Sequence, residues 1–229
     1  MPYQKIIPLA VILLGCAGSD RADNVDADCE PSLDWPARPA SVLGSVPCKY
    51  RSPDGQLEIS VGASEAPTLL EVDGRGTISS VDAPALMLWA PDSTAFFIND
   101  GNGSGQSSEF HIVDIGDHSL LDDTSAGLQA QQVYRLHYPC REGDLPPNVW
   151  GLEWSSDSKR IFVLVQPRVH SVCQTTDQFM VLEIDATSHD VAEAWSSEQA
   201  RDASSFVLRD FLGERTTDGR GDRTGANRP

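Results

Sequence analysis

Asp100-Gly101-Asn102-Gly103-Ser104-Gly105 carries oxygen side chains at alternate positions and closes on glycine. A hard divalent cation such as Ca2+ takes oxygen ligands of this kind around a tight turn. The twelfth position, where such a loop usually ends in a bidentate Glu, is His111, and no helix is expected on either side. The run therefore reads first as a Gly-rich turn between strands and second as a Ca2+ site at Asp100, Asn102 and Ser104. It is not a phosphate loop, since it lacks Lys and a following helix. No Gly-x-Ser-x-Gly elbow is present, and His111, His118, His137, His170 and His189 have no metal-ligand spacing and no context that singles one out. Asp122-Asp123 reads as a solvated loop pair. No catalytic residue is named by these patterns, and Ca2+ is the only cofactor they suggest.

The elements that would position such groups repeat. Trp89-Ala90-Pro91-Asp92-Ser93, running into Thr94-Ala95-Phe96-Phe97-Ile98, returns as Trp154-Ser155-Ser156-Asp157-Ser158, running into Lys159-Arg160-Ile161-Phe162-Val163. A Trp ending one apolar run, a turn rich in Pro, Asp and Ser, and a second run of aromatic and β-branched residues predict a hairpin. Downstream, Phe110-His111-Ile112-Val113-Asp114-Ile115 is answered by Phe179-Met180-Val181-Leu182-Glu183-Ile184, a third strand. Gln131 to Tyr138 and Asp190 to Trp195 are the expected fourth strands. Ahead of both copies, the Arg51-Ser52-Pro53-Asp54-Gly55 turn, Gln56 to Val61 and Thr68 to Ile78 predict a more degenerate unit of the same kind.

Self-similar four-stranded units imply stacked small sheets. The repeat resembles the TolB-type, WD-like β-propeller repeat through Trp89, Pro91, Asp92, Ser93, Phe110 and Asp114 in one copy and Trp154, Ser155, Asp157, Ser158, Phe179 and Glu183 in the other. Ser156 stands where that pattern has Pro, and Ser93 and Ser158 where it has Gly. The resemblance implies an all-β fold, an incomplete or degenerate propeller-like array of four-stranded antiparallel sheets with a short C-terminal helix. It does not imply one function, because such folds serve as platforms, enzymes and scaffolds.

The start of the chain, a single Lys5 followed by the apolar run Ile6 to Leu14, has the form of a secretory signal. Leu13-Leu14-Gly15-Cys16 resembles the bacterial lipobox, which implies cleavage before Cys16 and attachment of lipid there. Ala17 in the next position implies the outer membrane, facing the periplasm. With Cys16 so assigned, Cys29, Cys48, Cys140 and Cys173 form an even set, which in an exported protein implies two disulfides. Three pairings are open, with Cys29-Cys48 and Cys140-Cys173 preferred.

The expected organisation is a signal over 1–15, an acidic flexible tether over 16–41, the β-domain over 42–212 with repeats at about 83–138 and 148–195, and a disordered tail over 213–229. Within the domain, Ser204 to Leu212 places Val207, Leu208, Phe211 and Leu212 on one helical face. A formal charge of −17 disfavours nucleic acid and anionic surfaces as partners. The expected function is a lipid-anchored, non-catalytic envelope module that recognises a protein or polysaccharide. An envelope hydrolase with a site assembled across sheets, and a calcium-dependent structural or sensor lipoprotein, are the alternatives.

Overall fold

The computed structural model describes residues 27–202 except 34, 36, 45, 63–67, 102–107, 140–144, 169–170 and 172–177. The described residues are mostly β and form three antiparallel sheets. The first sheet holds β2 (Cys48–Arg51), β3 (Glu58–Val61), β4 (Thr68–Val72) and β5 (Gly76–Val81) in sequence order. In the second, β6 (Ala85–Trp89), β7 (Ala95–Asp100), β8 (Glu109–Ile115) and β9 (Leu120–Asp123) follow one another, and β1 (Ala40–Val42) is added beside β6. The third sheet holds β10 (Asn148–Trp154), β11 (Arg160–Gln166), β12 (Met180–Asp185) and β13 (Val191–Ser196).

Alternation along the strands sends one set of side chains to each face. In the second sheet Trp89, Phe96, Ile98 and Val113 meet Ile59, Val61, Leu70 and Val72 of the first. Its other face sends Phe97, Phe110 and Ile112 against Trp154, Ile161, Val163 and Leu182 of the third. The middle sheet is thus buried on both sides, which is why β7 is buried at every position. The early unit expected around the Arg51-to-Ile78 segment does form, as four strands that run from Cys48 to Val81.

Four expectations change. The expected fourth strand at Gln131 to Tyr138 is instead the end of helix α1 (Ser125–His137) and its C-cap Tyr138, and the strand that follows β8 in that sheet is β9. Ala126, Ala130 and Tyr134 recur every fourth residue and are all buried between the second and third sheets, a helical spacing that outweighs the local alternation. Gly127 lets the helix close on β8, since a Cβ there would stand 3.0 Å from the Phe110 carbonyl oxygen. Asp122 and Asp123 lie in β9 rather than in a loop.

The tether assigned to 16–41 also ends earlier than expected. From Ala27 onward the chain lies on the domain: Asp28 bridges Lys49, Pro31 bridges Ala40, and Cys29 and Ala40 are buried. Trp35 reaches the Trp150 ring of the third sheet at 6.0 Å. Its few apolar residues understate this segment, because backbone pairing and one disulfide hold it in place.

The fourth correction concerns how the two repeats correspond. Trp89 pairs with Phe96 and Phe96 with Val113, while Trp154 pairs with Ile161 and Ile161 with Ile184. Strand register therefore equates Asp114 with Asp185 and Phe110 with Val181, two residues away from the Glu183 and Phe179 expected. A two-residue shift keeps every side chain on its face, so the apolar pattern cannot detect it. The predicted helix from Ser204 to Leu212 and the tail lie outside the described residues, which end with α2 (Ser197–Asp202).

Candidate functional site

The sheet-to-sheet joints bring together the groups with chemical potential. Each repeat turn reaches back to the one before it. The Asp54 N–H donates to Ser93 Oγ at 3.2 Å, and the Asp92 N–H donates to Ser158 Oγ at 3.0 Å. Ser93 and Ser158 adopt φ of 64° and 60°, in the left-handed region where glycine is favoured. Gly55 occupies the same place in the first turn, with φ 70°, and no sheet precedes it among the described residues. The two Ser-for-Gly departures are thus the residues that link one unit to the next.

Trp89 and Trp154 pack in these joints. Trp154 stacks on Phe97 at 6.2 Å and donates its indole N–H to the Leu88 carbonyl at 3.0 Å. Asp92 and Asp157 organise their own turns: Asp92 Oδ1 accepts from Thr94 N and Oγ1, and Asp157 Oδ1 accepts from Ser155 Oγ and the Lys159 N–H. These hydrogen bonds hold the Asp157 carboxyl below the usual carboxylate range. Asn99, fully buried, crosses to the third sheet, where its amide donates to the Gly151 carbonyl at 2.8 Å and accepts the Gly151 N–H at 2.6 Å. Its amide satisfies both backbone groups of Gly151, as a neighbouring strand would.

Two histidines, for which the sequence offered no context, also lie against carboxylates, His189 in the joint between the second and third sheets and His111 within the second sheet. His189 sits in the turn after β12 with φ 60° and a side chain only 6% exposed. Its Nδ1 lies 2.6 Å from Asp123 Oδ2, and its Nε2 approaches Asp114 Oδ2 at 3.2 Å without the alignment of a hydrogen bond. Burial pushes the Asp114 carboxyl up despite the nearby imidazole. For Asp123, burial acts in the same direction, but the hydrogen bonds from His189 and Ser125 outweigh it and its pKa is lowered.

His111 Nδ1 lies 3.0 Å from Asp122 Oδ1. Burial disfavours its charge, yet the Asp122 hydrogen bond and the charges of Asp122, Asp100 and Glu109 prevail, and its pKa is raised. The signal that could have found both histidines is their distance in sequence from Asp122-Asp123, which a single-window reading does not connect.

The other expected site residues divide. Cys29 and Cys48 are joined in a disulfide across a separation of 19 residues, tying the N-terminal segment to β2. Cys16, Cys140 and Cys173 lie outside the described residues, as do Asn102 and Ser104 of the expected cation loop. Asp100 is buried at the end of β7 and accepts the Asp82 N–H at 3.0 Å. Among the described residues no group of three or more His, Cys, Asp or Glu is placed to hold a metal ion.

The outward face of the third sheet differs from the joints. It carries the half-buried rings of Trp150, Phe162, Phe179 and Trp195 around Leu152, Leu164 and Val181. Beside them burial pushes Glu153 up to about 7, and Arg160 pairs with Glu183 and Asp185, each at 2.7 Å. Aromatic rings next to carboxylates and one guanidinium suit a partner that offers both apolar surface and hydrogen-bonding groups. No family model matches the sequence, and no curated protein matches it significantly.

Proposed function

We propose that this is a lipid-anchored, non-catalytic binding or accessory protein of a bacterial cell envelope, built as an incomplete propeller-like array resembling the TolB-type repeat. The observation that carries this reading is the use made of His189, Asp114 and Asp123. The groups best suited to acid–base chemistry are spent clasping one sheet to the next, with the imidazole only 6% exposed. Such a stack is a rigid support for surface recognition. Strong negative charge favours a neutral or cationic protein or polysaccharide over nucleic acid. The Cys29–Cys48 disulfide supports an oxidising compartment, in keeping with the lipobox-like Leu13-Leu14-Gly15-Cys16. Lipid at Cys16 would then hold the domain at the periplasmic face of the outer membrane.

The test is photo-cross-linking in the native envelope from the exposed positions Leu128 and Leu136 on α1, repeated with His111→Gln and His189→Gln. Capture of one defined protein or glycan, unchanged in the folded histidine variants, is expected. Loss of the cellular function in a histidine variant that still folds and still cross-links would replace this reading with the hydrolase.

A further inference from the structure

Asp122 and Asp123 are neighbours in β9 and point to opposite faces of the second sheet. Asp122 stays on its own sheet with His111, while Asp123 meets His189, which arrives from the turn between β12 and β13 of the third sheet. The charged groups placed about the His189 ring are Asp114 of β8, Asp123 of β9, Asp185 and Asp190 at the two ends of its own turn, and Arg160 of β11. α1 contributes the uncharged Gln129, which donates to Asp190 Oδ1 at 3.3 Å. Arg160 is spent on Glu183 and Asp185, so the ring itself faces carboxylates.

The two ring nitrogens make unequal demands. Burial works against charge on Asp123, but the hydrogen bonds from His189 and Ser125 outweigh it and the carboxylate stays ionised. At 2.6 Å from that carboxylate, Nδ1 must carry a proton. A neutral imidazole has only that one N–H, so its Nε2 would turn a bare lone pair towards Asp114 Oδ2 at 3.2 Å. Nε2 is buried with no hydrogen-bond partner among the described residues. Two electron-rich atoms facing each other in a buried place repel, and a proton on either one makes the contact attractive. Burial pushes the Asp114 carboxyl up, which favours a proton there even against the pull of the imidazole. The folded joint thus holds a proton that the separated groups give up near a histidine's ordinary value, about 6.5. Below that value its contribution to stability is fully present. Above it the folded state binds more protons than the unfolded, so the contribution is lost as pH rises.

We propose that His189, Asp114 and Asp123 form a proton-dependent latch between the second and third sheets, shut while the His189–Asp114 contact holds a proton and loosened once that proton is lost. Asp123 also accepts the Ser125 N–H at 2.7 Å and its hydroxyl at 3.0 Å, so the latch bears on the first turn of α1, which is packed in the same joint. The uncharged Asn99–Gly151 bonds hold the joint at the other end of β7 from the Ala95–Asp114 pair. Loosening is therefore local: it frees β9, the start of α1 and the 186–190 turn, and leaves the sheets stacked. The latch rests on this geometry and not on what the domain binds.

Hydrogen exchange of the full chain at about pH 5.5 and about pH 8, corrected for the intrinsic base-catalysed rate, tests the latch. Protection in 120–128 and 186–190 should fall severalfold from the lower pH to the higher, while β11 changes little. Asp114→Asn should keep both segments protected at the higher pH, because its amide N–H can donate to a neutral Nε2. Loss of protection at both pH values in that variant would instead make Asp114 merely structural and end the latch. His189→Gln should remove the pH dependence, and if it does not fold, Asp114→Asn decides. His111→Gln should retain the fall, since His111 and Asp122 lie on the other face of the sheet. A wild-type protein equally protected at both pH values would overturn the proposal. So would a fall that persists in Asp114→Asn or vanishes in His111→Gln, since another group would then carry it.

Discussion

Ser158 shows how one residue carries opposed demands. Its positive φ costs about 1 kcal/mol relative to glycine, while its Oγ accepts the Asp92 N–H, an interaction worth about 1 kcal/mol. Ser158→Ala keeps the strain and loses the acceptor, so it should destabilise by about 1–2 kcal/mol. Ser158→Gly should cost less, because the relieved strain offsets the lost bond. Urea denaturation of the two variants checks the order, and Gly costing more than Ala would remove the linking role. Glu153 makes a pH prediction. Its pKa is raised by burial to about 7, so its contribution to stability is fully present below about pH 4.5, its ordinary value, and is lost as pH rises through 7. His111, raised above its ordinary value, acts with the same sign from about pH 6.5 upward. Glu153→Gln should therefore flatten, without abolishing, the loss of stability between pH 5 and 8, read as melting temperature at several pH values.

Among the elements, β10 depends on a side chain of another strand. Asn99→Ala would leave the Gly151 N–H and carbonyl buried without their partners, at a cost of about 2–4 kcal/mol. A wild-type unfolding midpoint in that variant would show that water replaces the amide. Gly151 itself cannot be enlarged, since a Cβ would stand 2.7 Å from the Phe110 ring and 2.8 Å from Phe97. The N-terminal segment from Ala27 to Val42 depends on the Cys29–Cys48 bridge, which closes a span of 19 residues. Replacing both cysteines with Ser should destabilise by about 2–4 kcal/mol and raise amide exchange at Cys29 and Lys49, which bond to Lys49 and Ala27. Unaltered exchange there would mean that the strand bridges suffice without the covalent tie.

At the scale of the molecule, charge acts on the whole fold. A formal charge of −17 repels itself in the compact state, so the melting temperature should rise as salt increases from about 10 to 200 mM, where screening shortens the reach of charge to under about 10 Å. A fall would mean that the joint ion pairs outweigh the general repulsion. If Cys16 carries lipid, Cys16→Ser should abolish palmitate labelling and leave an unprocessed precursor. Labelling that persists would end the lipoprotein reading.

Much of the fold was legible because it rests on local chemistry. The turns at Asp92 and Asp157, the apolar runs on either side, and the unit built on the Asp54 turn are decided by residues within a few positions of one another, and all three form hairpins. Cys29 and Cys48, close in sequence, were likewise a natural pair. What the sequence left open depended on which sheet faces which. Period-two alternation cannot separate Asp114's partner position at Glu183 from the one at Asp185, and only the hydrogen-bond register does so. Ala126, Ala130 and Tyr134 became a buried helix face because the second and third sheets leave a gap for it. Asp123 and His189 meet only when those sheets stack, so their contact is a property of the tertiary structure alone. The sequence determined units that repeat; the packing of one unit on the next decided where every titratable group of the joints came to lie.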